Sequence, residues 1–382
     1  MKKINIVKKV LFIMPALPGG GAEKVLIDIL KNFDYSKYRL TLLLEYKEGV
    51  YTSSVPENVE IIYLYKRSNI WLERFHRGLG IIKCYHLFHS LIYQFAFRWL
   101  LRGRQFDTIV SFMEGEAVRI HSYLKEKAKK HISWIHIDFK KKHWSLDYFR
   151  NKKHENNCYS MMNNIVFVSD DARRSFLDVY NIDDNKCKII YNLIDKEDII
   201  KLSQTQEIEK DELTICMVGR LNPQKRYDRA LQAAKLLVDE GYKFHLWILG
   251  VGELEQELRN RCEEYGLSNV CHFKGFVKPA YPYMKQADIF LNTSEAEGYP
   301  LVLCEALCLG LPIVATDITG AHEILDDSRY GILVKENVED IYEGLRRMII
   351  SKELRCDYSQ KAIARSEMFS VEAIMKQIYN IL

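Results

Sequence analysis

Two glutamates bracket a proline and an apolar run in Glu297-Gly298-Tyr299-Pro300-Leu301-Val302-Leu303-Cys304-Glu305. Pro300 suits the first turn of a helix, where its missing N–H costs nothing. The free amides of that turn would point toward the end of the preceding strand, where they can hold phosphate oxygens. Glu297 then stands in the loop ahead of the helix, and Glu305 lies more than a turn inside it. A carboxylate among Leu303, Cys304, Ala306 and Leu307 needs a hydrogen-bond donor. A ribose diol would supply two, and a local cap or ion pair would also serve.

A second segment, Met217-Val218-Gly219-Arg220-Leu221-Asn222-Pro223-Gln224-Lys225, ends a strand-like run in glycine and releases two cations into one loop. Both could reach one diphosphate, the arginine as a planar fork and the lysine as a point charge. Two solvated surface cations are the plainer account of the same residues. Leu249-Gly250-Val251-Gly252-Glu253 is a G-x-G without its third glycine, which a tight strand-to-helix turn explains in full. Near the start, Val10-Leu11-Phe12-Ile13-Met14 reads as a buried strand. Gly19-Gly20-Gly21 follows it, ahead of Val25, Leu26, Ile29, Leu30 and Phe33 at helical spacing.

Such residues need regular elements to place them. Strands are predicted at Leu40–Leu44, Val59–Tyr63, Thr108–Phe112, Ile132–Ile137 and Ile165–Val168 in the first half. In the second half, Leu213–Val218, Phe244–Leu249, Val270–Lys274, Ile289–Thr293 and Ile313–Thr316 alternate with helices at Asp228–Glu240, Leu254–Glu264 and Pro300–Leu309. Alternation of this kind makes an open parallel sheet covered by helices, with ligands at the carboxyl ends of the strands. A polar stretch, Asp195 to Glu212, reads as linker plus a short helix. At 382 residues the chain is too long for one compact core. The expected class is α/β, with two Rossmann-like doubly wound domains in tandem, divided as 1–193 and 194–366.

At 48% apolar and 28% charged residues the composition is globular rather than disordered. The net charge of +4 conceals an asymmetry. Residues 1–190 carry 32 Lys and Arg against 20 Asp and Glu, whereas residues 191–382 carry 23 against 31. A basic half suggests an anionic surface opposite it, either nucleic acid or membrane. Nine cysteines with no C-x-x-C pair exclude a zinc ribbon or thioredoxin-type motif and fit a reduced, cytoplasmic compartment. Cys304 and Cys308, a helical turn apart in an apolar run, read as core residues. Met1 to Val10 lacks a long apolar stretch before a cleavage-like site, so no secretory signal is expected. The run Cys84 to Phe97 is too short and too polar to span a bilayer.

Lys66 to Arg104 holds eight Lys and Arg, the single acid Glu73, and aromatics that include Trp71, Phe75, Phe95 and Trp99. Parts of it read as amphipathic helix with a basic rim, suited to peripheral attachment at an anionic membrane surface. A helix pair packed on the sheet, with its cations solvated, is the other account. No nucleic-acid module is visible, so nucleic acid is not an expected partner.

Taken in order, Gly219-Arg220-Leu221-x3-Lys225, Tyr281-Pro282-Tyr283-Met284, Ala287-Asp288, Glu297-x7-Glu305 and Pro312-Ile313-Val314-Ala315-Thr316 resemble the retaining glycosyltransferases of family 4, which have the GT-B fold. Gly19-Gly20-Gly21-Ala22-Glu23 is similar to the glycine loop of many bacterial members. The resemblance is strong from about Leu213 to Val334, fair at the N-terminus, and thin from Val50 to Lys130. It implies two Rossmann-like domains facing a central cleft, the first for the acceptor and the second for the nucleotide-sugar. Residues 367–382 would cross back onto the first domain.

The implied activity is transfer of a sugar from a nucleotide donor, UDP-linked, to a glycan acceptor, lipid-linked, in bacterial surface polysaccharide synthesis. By the resemblance, Arg220 and Lys225 would hold the donor diphosphate and Glu305 the ribose. Glu297 would contact hydroxyls of the transferred sugar without acting as nucleophile. Val277, Gly298, Pro300, Leu301 and Val302 would complete the donor site, with Gly20 and Gly21 approaching from the other domain. His136, in Trp134-Ile135-His136-Ile137-Asp138, looks like the family's active-site histidine, although a core or loop histidine also explains so short a match. No cofactor and no metal are expected. No Asp-x-Asp occurs anywhere in the chain, so Arg220, Lys225 and the amides at Pro300–Leu301 would meet the charge on the leaving group. A nucleotide-sugar 2-epimerase and a non-catalytic nucleotide-sugar-binding partner are the alternatives.

Overall fold

A computed structural model describes residues 7–47, 49–65, 85–141 and 143–382, the stretch 85–92 by its backbone. Residues 66–84, the first part of the basic aromatic stretch, lie outside them, as do 1–6. The chain forms two units, Met1–Leu193 with Val371–Leu382, and Ile194–Ser370. Among the described residues, no helix is long and apolar enough to cross a membrane.

The first unit holds a parallel sheet of β1 (Lys8–Met14), β2 (Tyr38–Tyr46), β3 (Glu60–Tyr65), β4 (Phe106–Ser111), β5 (Ala128–Ile135), β6 (Asn164–Phe167) and β7 (Cys187–Ile189). Their spatial order is β3-β2-β1-β4-β5-β6-β7. The second unit holds β8 (Thr214–Val218), β9 (His245–Leu249), β10 (Cys271–Gly275), β11 (Ile289–Asn292), β12 (Ile313–Thr316) and β13 (Ile332–Val334), ordered β10-β9-β8-β11-β12-β13. Parallel neighbours need a crossover, and helices supply it on both faces. Strands covered on both faces read as apolar runs, as in β1, where Val10 to Met14 are at most 1% exposed. The sequence pattern finds every strand among the described residues except β7 and β13. Each of these spans three residues at a sheet edge, too short for a periodicity to register.

Helical spacing carries the covering layers. In Tyr227–Asp239, Ala230, Leu231, Ala234 and Leu237 face the sheet and are buried. The polar stretch after Asp195 contains the helix Lys196–Ser203, capped by the Asp195 carboxylate on the Asp198 amide. At the chain's end, Ile374, Met375 and Ile378 form the buried face of Val371–Ile381. The ring of Tyr379 stacks on Tyr38 with centroids 5.2 Å apart, and its hydroxyl accepts the Asp34 amide at 2.9 Å. The Leu382 carbonyl accepts the Thr108 hydroxyl at 3.2 Å, so this last helix is part of the first unit.

The G-x-G at Gly250–Gly252 has a packing role. A Cβ on Gly250, at φ +142°, would lie 1.9 Å from the Gly219 carbonyl oxygen, and one on Gly252 would lie 2.2 Å from that of Leu221. Backbone bonds close the same contact, from Gly219 N–H to Leu249 and from Leu221 N–H to Val251, both 3.0 Å. The loop after β9 is thereby pressed against the loop that carries Arg220. Gly252→Ala forces two backbones apart and is expected to destabilise the protein by about 1–3 kcal/mol. Urea unfolding measures it, and an unchanged midpoint would contradict the close-approach account.

Candidate functional site

In the second sheet the chain steps outward from β8 to β9 to β10, then returns to lay β11 on the other side of β8. Connections that leave two neighbouring strands in opposite directions open a crevice at their carboxyl ends. The loops after β8 and β11 meet there. Asn222 closes the turn Pro223–Lys225 by accepting the Lys225 amide at 3.3 Å. The Thr293 hydroxyl lies 2.9 and 3.0 Å from the carbonyl oxygens of Lys225 and Arg226. The Glu295 amide donates to the Gln224 carbonyl at 2.9 Å, and the Gln224 side chain returns a bond to the Ala296 carbonyl. Held this way, the Lys225 ammonium and the Glu297 carboxylate pair at 2.9 Å, with side chains only 18% and 14% exposed. Asn292 adds a longer bond to the same carboxylate oxygen, at 3.4 Å.

Gly298, Tyr299 and Pro300 are buried and lead into the helix Leu301–Cys308. The sequence pattern places Pro300 inside the first turn; the structure puts it one position earlier, as the N-cap, with extended backbone (φ −73°, ψ 98°). A proline there offers no side-chain oxygen, and no side chain caps this helix. The first-turn amides at Leu301 and Val302 have no partner within the helix, as at every helix start. Their partial positive charge faces the crevice that holds Lys225.

Glu305 is 7% exposed among Leu303, Cys304, Ala306 and Leu307, and Cys304 and Cys308 are core residues. The donor its burial demands is in part the Tyr281 hydroxyl, 3.1 Å from one carboxylate oxygen. Arg220 is exposed on the same side of the sheet, and no acid among the described residues pairs with it. Val277 is half-buried in the loop after β10. Lys225, Glu297, Gly298, Pro300, Leu301, Val302 and Glu305 thus sit on two adjoining loops and one helix.

Gly20, Gly21 and His136 belong to the first unit. Its order reverses between β1 and β4, and the glycine loop follows β1. Gly20 is the N-cap of the helix Gly21–Lys31, and the Glu23 carboxylate folds back so closely that a Cβ on Gly20 would lie 2.3 Å from it. His136 follows β5. Its amide donates to the Glu114 carboxylate at 3.0 Å, and its ring lies 5.2 Å from Phe112. Burial pushes the Glu114 carboxyl up to about 7 and the His136 imidazole down to about 4. Among the described residues, the His136 Nε2 is buried with no hydrogen-bond partner. A neutral ring with one unsatisfied nitrogen is ready to accept or donate a single bond, depending on tautomer.

Comparison with known proteins places the two units. Residues 19–198 match the family description Glycosyltransferase Family 4, and residues 198–365 match Glycosyl transferases group 1. The chain belongs to these glycosyltransferases. A Campylobacter jejuni relative, N-acetylgalactosamine-N,N'-diacetylbacillosaminyl-diphospho-undecaprenol 4-alpha-N-acetylgalactosaminyltransferase, is 34% identical over 193 residues, covering 50% of this chain and 52% of the relative. The putative colanic acid biosynthesis glycosyltransferase WcaL of Escherichia coli is 36% identical over 33% of each chain. The match thus spans about half the length of the first of these relatives and a third of the second. The structure of Anabaena Alr3699/HepE in complex with UDP and glucose superposes with a TM-score of 0.76 over 98% of both chains, at 21% identity. That likeness identifies the fold as GT-B.

Sequence reading of this glycosyltransferase misses Gln224, Asn292, Thr293 and Glu114. Asn292 and Thr293 end the apolar run Ile289-Phe290-Leu291, and polar residues closing a buried strand were the available signal. Tyr281 is part of a recognised run, but nothing local announces its bond to Glu305. The environment of His136 makes a direct prediction. Followed by NMR, its ring should stay neutral through the ordinary histidine range and protonate only near pH 4. A midpoint at the ordinary value would contradict the buried, neutral ring.

Proposed function

We propose that this protein transfers a sugar from a UDP-linked donor to a glycan acceptor, with retention of anomeric configuration, during bacterial surface polysaccharide synthesis. The observation that carries this reading is the meeting of Lys225 and Glu297, 2.9 Å apart, beside the uncapped start of Leu301–Cys308. Breaking a sugar–diphosphate bond builds negative charge on the leaving group, and fixed donors aimed at that charge lower the barrier. Lys225, Arg220 and the amides of Leu301 and Val302, with Gly298 and Pro300 shaping the turn, are that set. Glu305 takes the ribose hydroxyls, and Val277 completes the donor site. Glu297 bonds hydroxyls of the transferred sugar and orients Lys225; its ion pair makes it a poor nucleophile. In the first unit, His136 follows β5 and Gly20 and Gly21 follow β1, and this unit receives the acceptor. UDP is supported by the HepE complex and the lipid-linked acceptor by the name of the Campylobacter relative.

In this reading the cationic set needs neither metal nor cofactor. UDP release from a UDP-sugar in the presence of a lipid-linked acceptor should therefore survive EDTA, and Arg220→Ala should lower kcat roughly 10²-fold. Complete loss on chelation, restored by a divalent ion, would overturn the metal-free account.

The reading also includes peripheral attachment to an anionic membrane through residues 66–104. Within the described part, Phe95 and Trp99 are 74% and 65% exposed, one turn apart on the helix Tyr85–Leu100, with Arg98 between them and Arg102 just beyond. Aromatic side chains projecting beside arginines suit a headgroup interface. The protein should co-sediment with anionic liposomes at low salt, and the double substitution Phe95→Ala/Trp99→Ala should release it. Equal sedimentation of the two proteins would contradict this contact.

A further inference from the structure

A polar cluster above β2 and β3 is used by none of the roles above. Glu45, next to last in β2, is 2% exposed. The Tyr93 hydroxyl donates to one of its carboxylate oxygens at 2.8 Å, and a side-chain hydrogen bond joins Glu45 to Glu116. Glu116 opens the helix Glu116–Tyr123 beside it, and Arg119, one turn on, bonds Glu116 at 3.1 Å. Among the described residues, the Nε of Arg119 is buried without a partner. Buried polar atoms are nearly always satisfied, so this guanidinium nitrogen indicates a missing partner.

Aromatic rings stand around these groups. Tyr46 stacks on Tyr65 with centroids 5.7 Å apart, and Tyr65 lies 6.4 Å from Tyr93. On the other side Tyr148 lies 6.0 Å from the Arg119 guanidinium, and Trp144 lies 5.9 Å from Tyr148. Tyr46, Tyr65, Trp144 and Tyr148 are all half-buried, so each ring keeps a face in reach of solvent. Aromatic faces cover the C–H face of a pyranose, while carboxyl and guanidinium groups take its hydroxyls in pairs.

We propose that Glu45, Glu116 and Arg119, with the rings of Tyr65, Trp144 and Tyr148, form the subsite for a neutral sugar of the acceptor glycan. The proposal rests on the transfer reading and adds the class of acceptor. Neutrality follows from the charges. Burial and the neighbouring Glu116 hold the Glu45 carboxyl well above the usual carboxylate range, an effect that the Tyr93 hydroxyl and Arg119 only partly offset. A protonated Glu45 beside the Glu116–Arg119 pair leaves the cluster without net charge. A uronic acid would bring a third carboxyl to a place whose cation is already committed. Facing Glu45 are Glu116 and Arg119 from one helix, Tyr93 from another, Tyr65 from β3, and Tyr148.

The test is saturation-transfer NMR on the full chain, without donor, using nitrophenyl N-acetylhexosaminides and hexosides, with nitrophenyl glucuronide as the anionic counterpart. The neutral glycosides should bind and the glucuronide should not. Glu45→Ala and the rim substitution Trp144→Ala should each weaken binding at least roughly tenfold, or about 1.4 kcal/mol. Binding should weaken as pH rises and Glu45 ionises, and Glu45→Gln should flatten that dependence. Silence from every neutral glycoside, preference for the glucuronide, or binding indifferent to both Glu45→Ala and Trp144→Ala overturns the proposal. A parallel melt with UDP separates the two readings: no shift with UDP, while glycosides still bind, sinks the donor assignment and leaves the sugar subsite standing.

Discussion

The ion pair between Lys225 and Glu297 sits where β8 and β11 part company, and the geometry of the second unit converges on it. Neither charge could be left alone at that depth, since removing one partner of a buried pair strands the other. The loops are therefore tied to each other before they are tied to any ligand, through Thr293, Gln224 and the Glu295 amide. A lysine held by one carboxylate oxygen keeps N–H groups for another acceptor. The pair fixes the cation in advance, which is what preorganised stabilisation of a leaving group requires.

The two units solve the same topological problem with different contents. Each reverses its strand order once, between β1 and β4 or between β8 and β11, and each presents its polar residues on the loops after those strands. The second unit puts cations and helix amides there. The first puts a glycine loop after β1 and a buried glutamic acid near neutrality after β4, with a histidine held neutral after the neighbouring β5. Net charge does not locate these sites. The cations assigned to the diphosphate belong to the acidic half of the sequence, and the cluster around Glu45 belongs to the basic half. Local fields are set by a few fixed groups within several ångströms, whereas net charge governs long-range attraction.

Much of this was legible in the sequence. Apolar runs give eleven of the thirteen strands among the described residues, and the order of motifs gives Arg220, Lys225, Glu297 and Glu305. What could not be read is which distant residues meet. Lys225 and Glu297 come together only because the chain returns to lay β11 beside β8, and one-dimensional periodicity carries no strand order. Tyr281 reaches Glu305 from a separate short helix, and Glu45, Tyr93 and Arg119 come from three elements. Gly250 and Gly252 looked like half of a phosphate motif because a glycine needed for backbone contact and one needed for a ligand are the same letter. Pro300 was displaced by one position because helix starts are set by caps, and a proline is accommodated on either side of the boundary.

The central claim is that the crevice between β8 and β11 recognises a diphosphate through Lys225. Calorimetric titration of UDP and of uridine into the wild-type chain and into Lys225→Met tests it most directly. The account predicts that the wild type binds UDP much more tightly than uridine, and that Lys225→Met loses roughly 10- to 100-fold of that preference, the worth of one charge-assisted hydrogen bond. Equal affinity for UDP and uridine, or a preference untouched by the substitution, would contradict it.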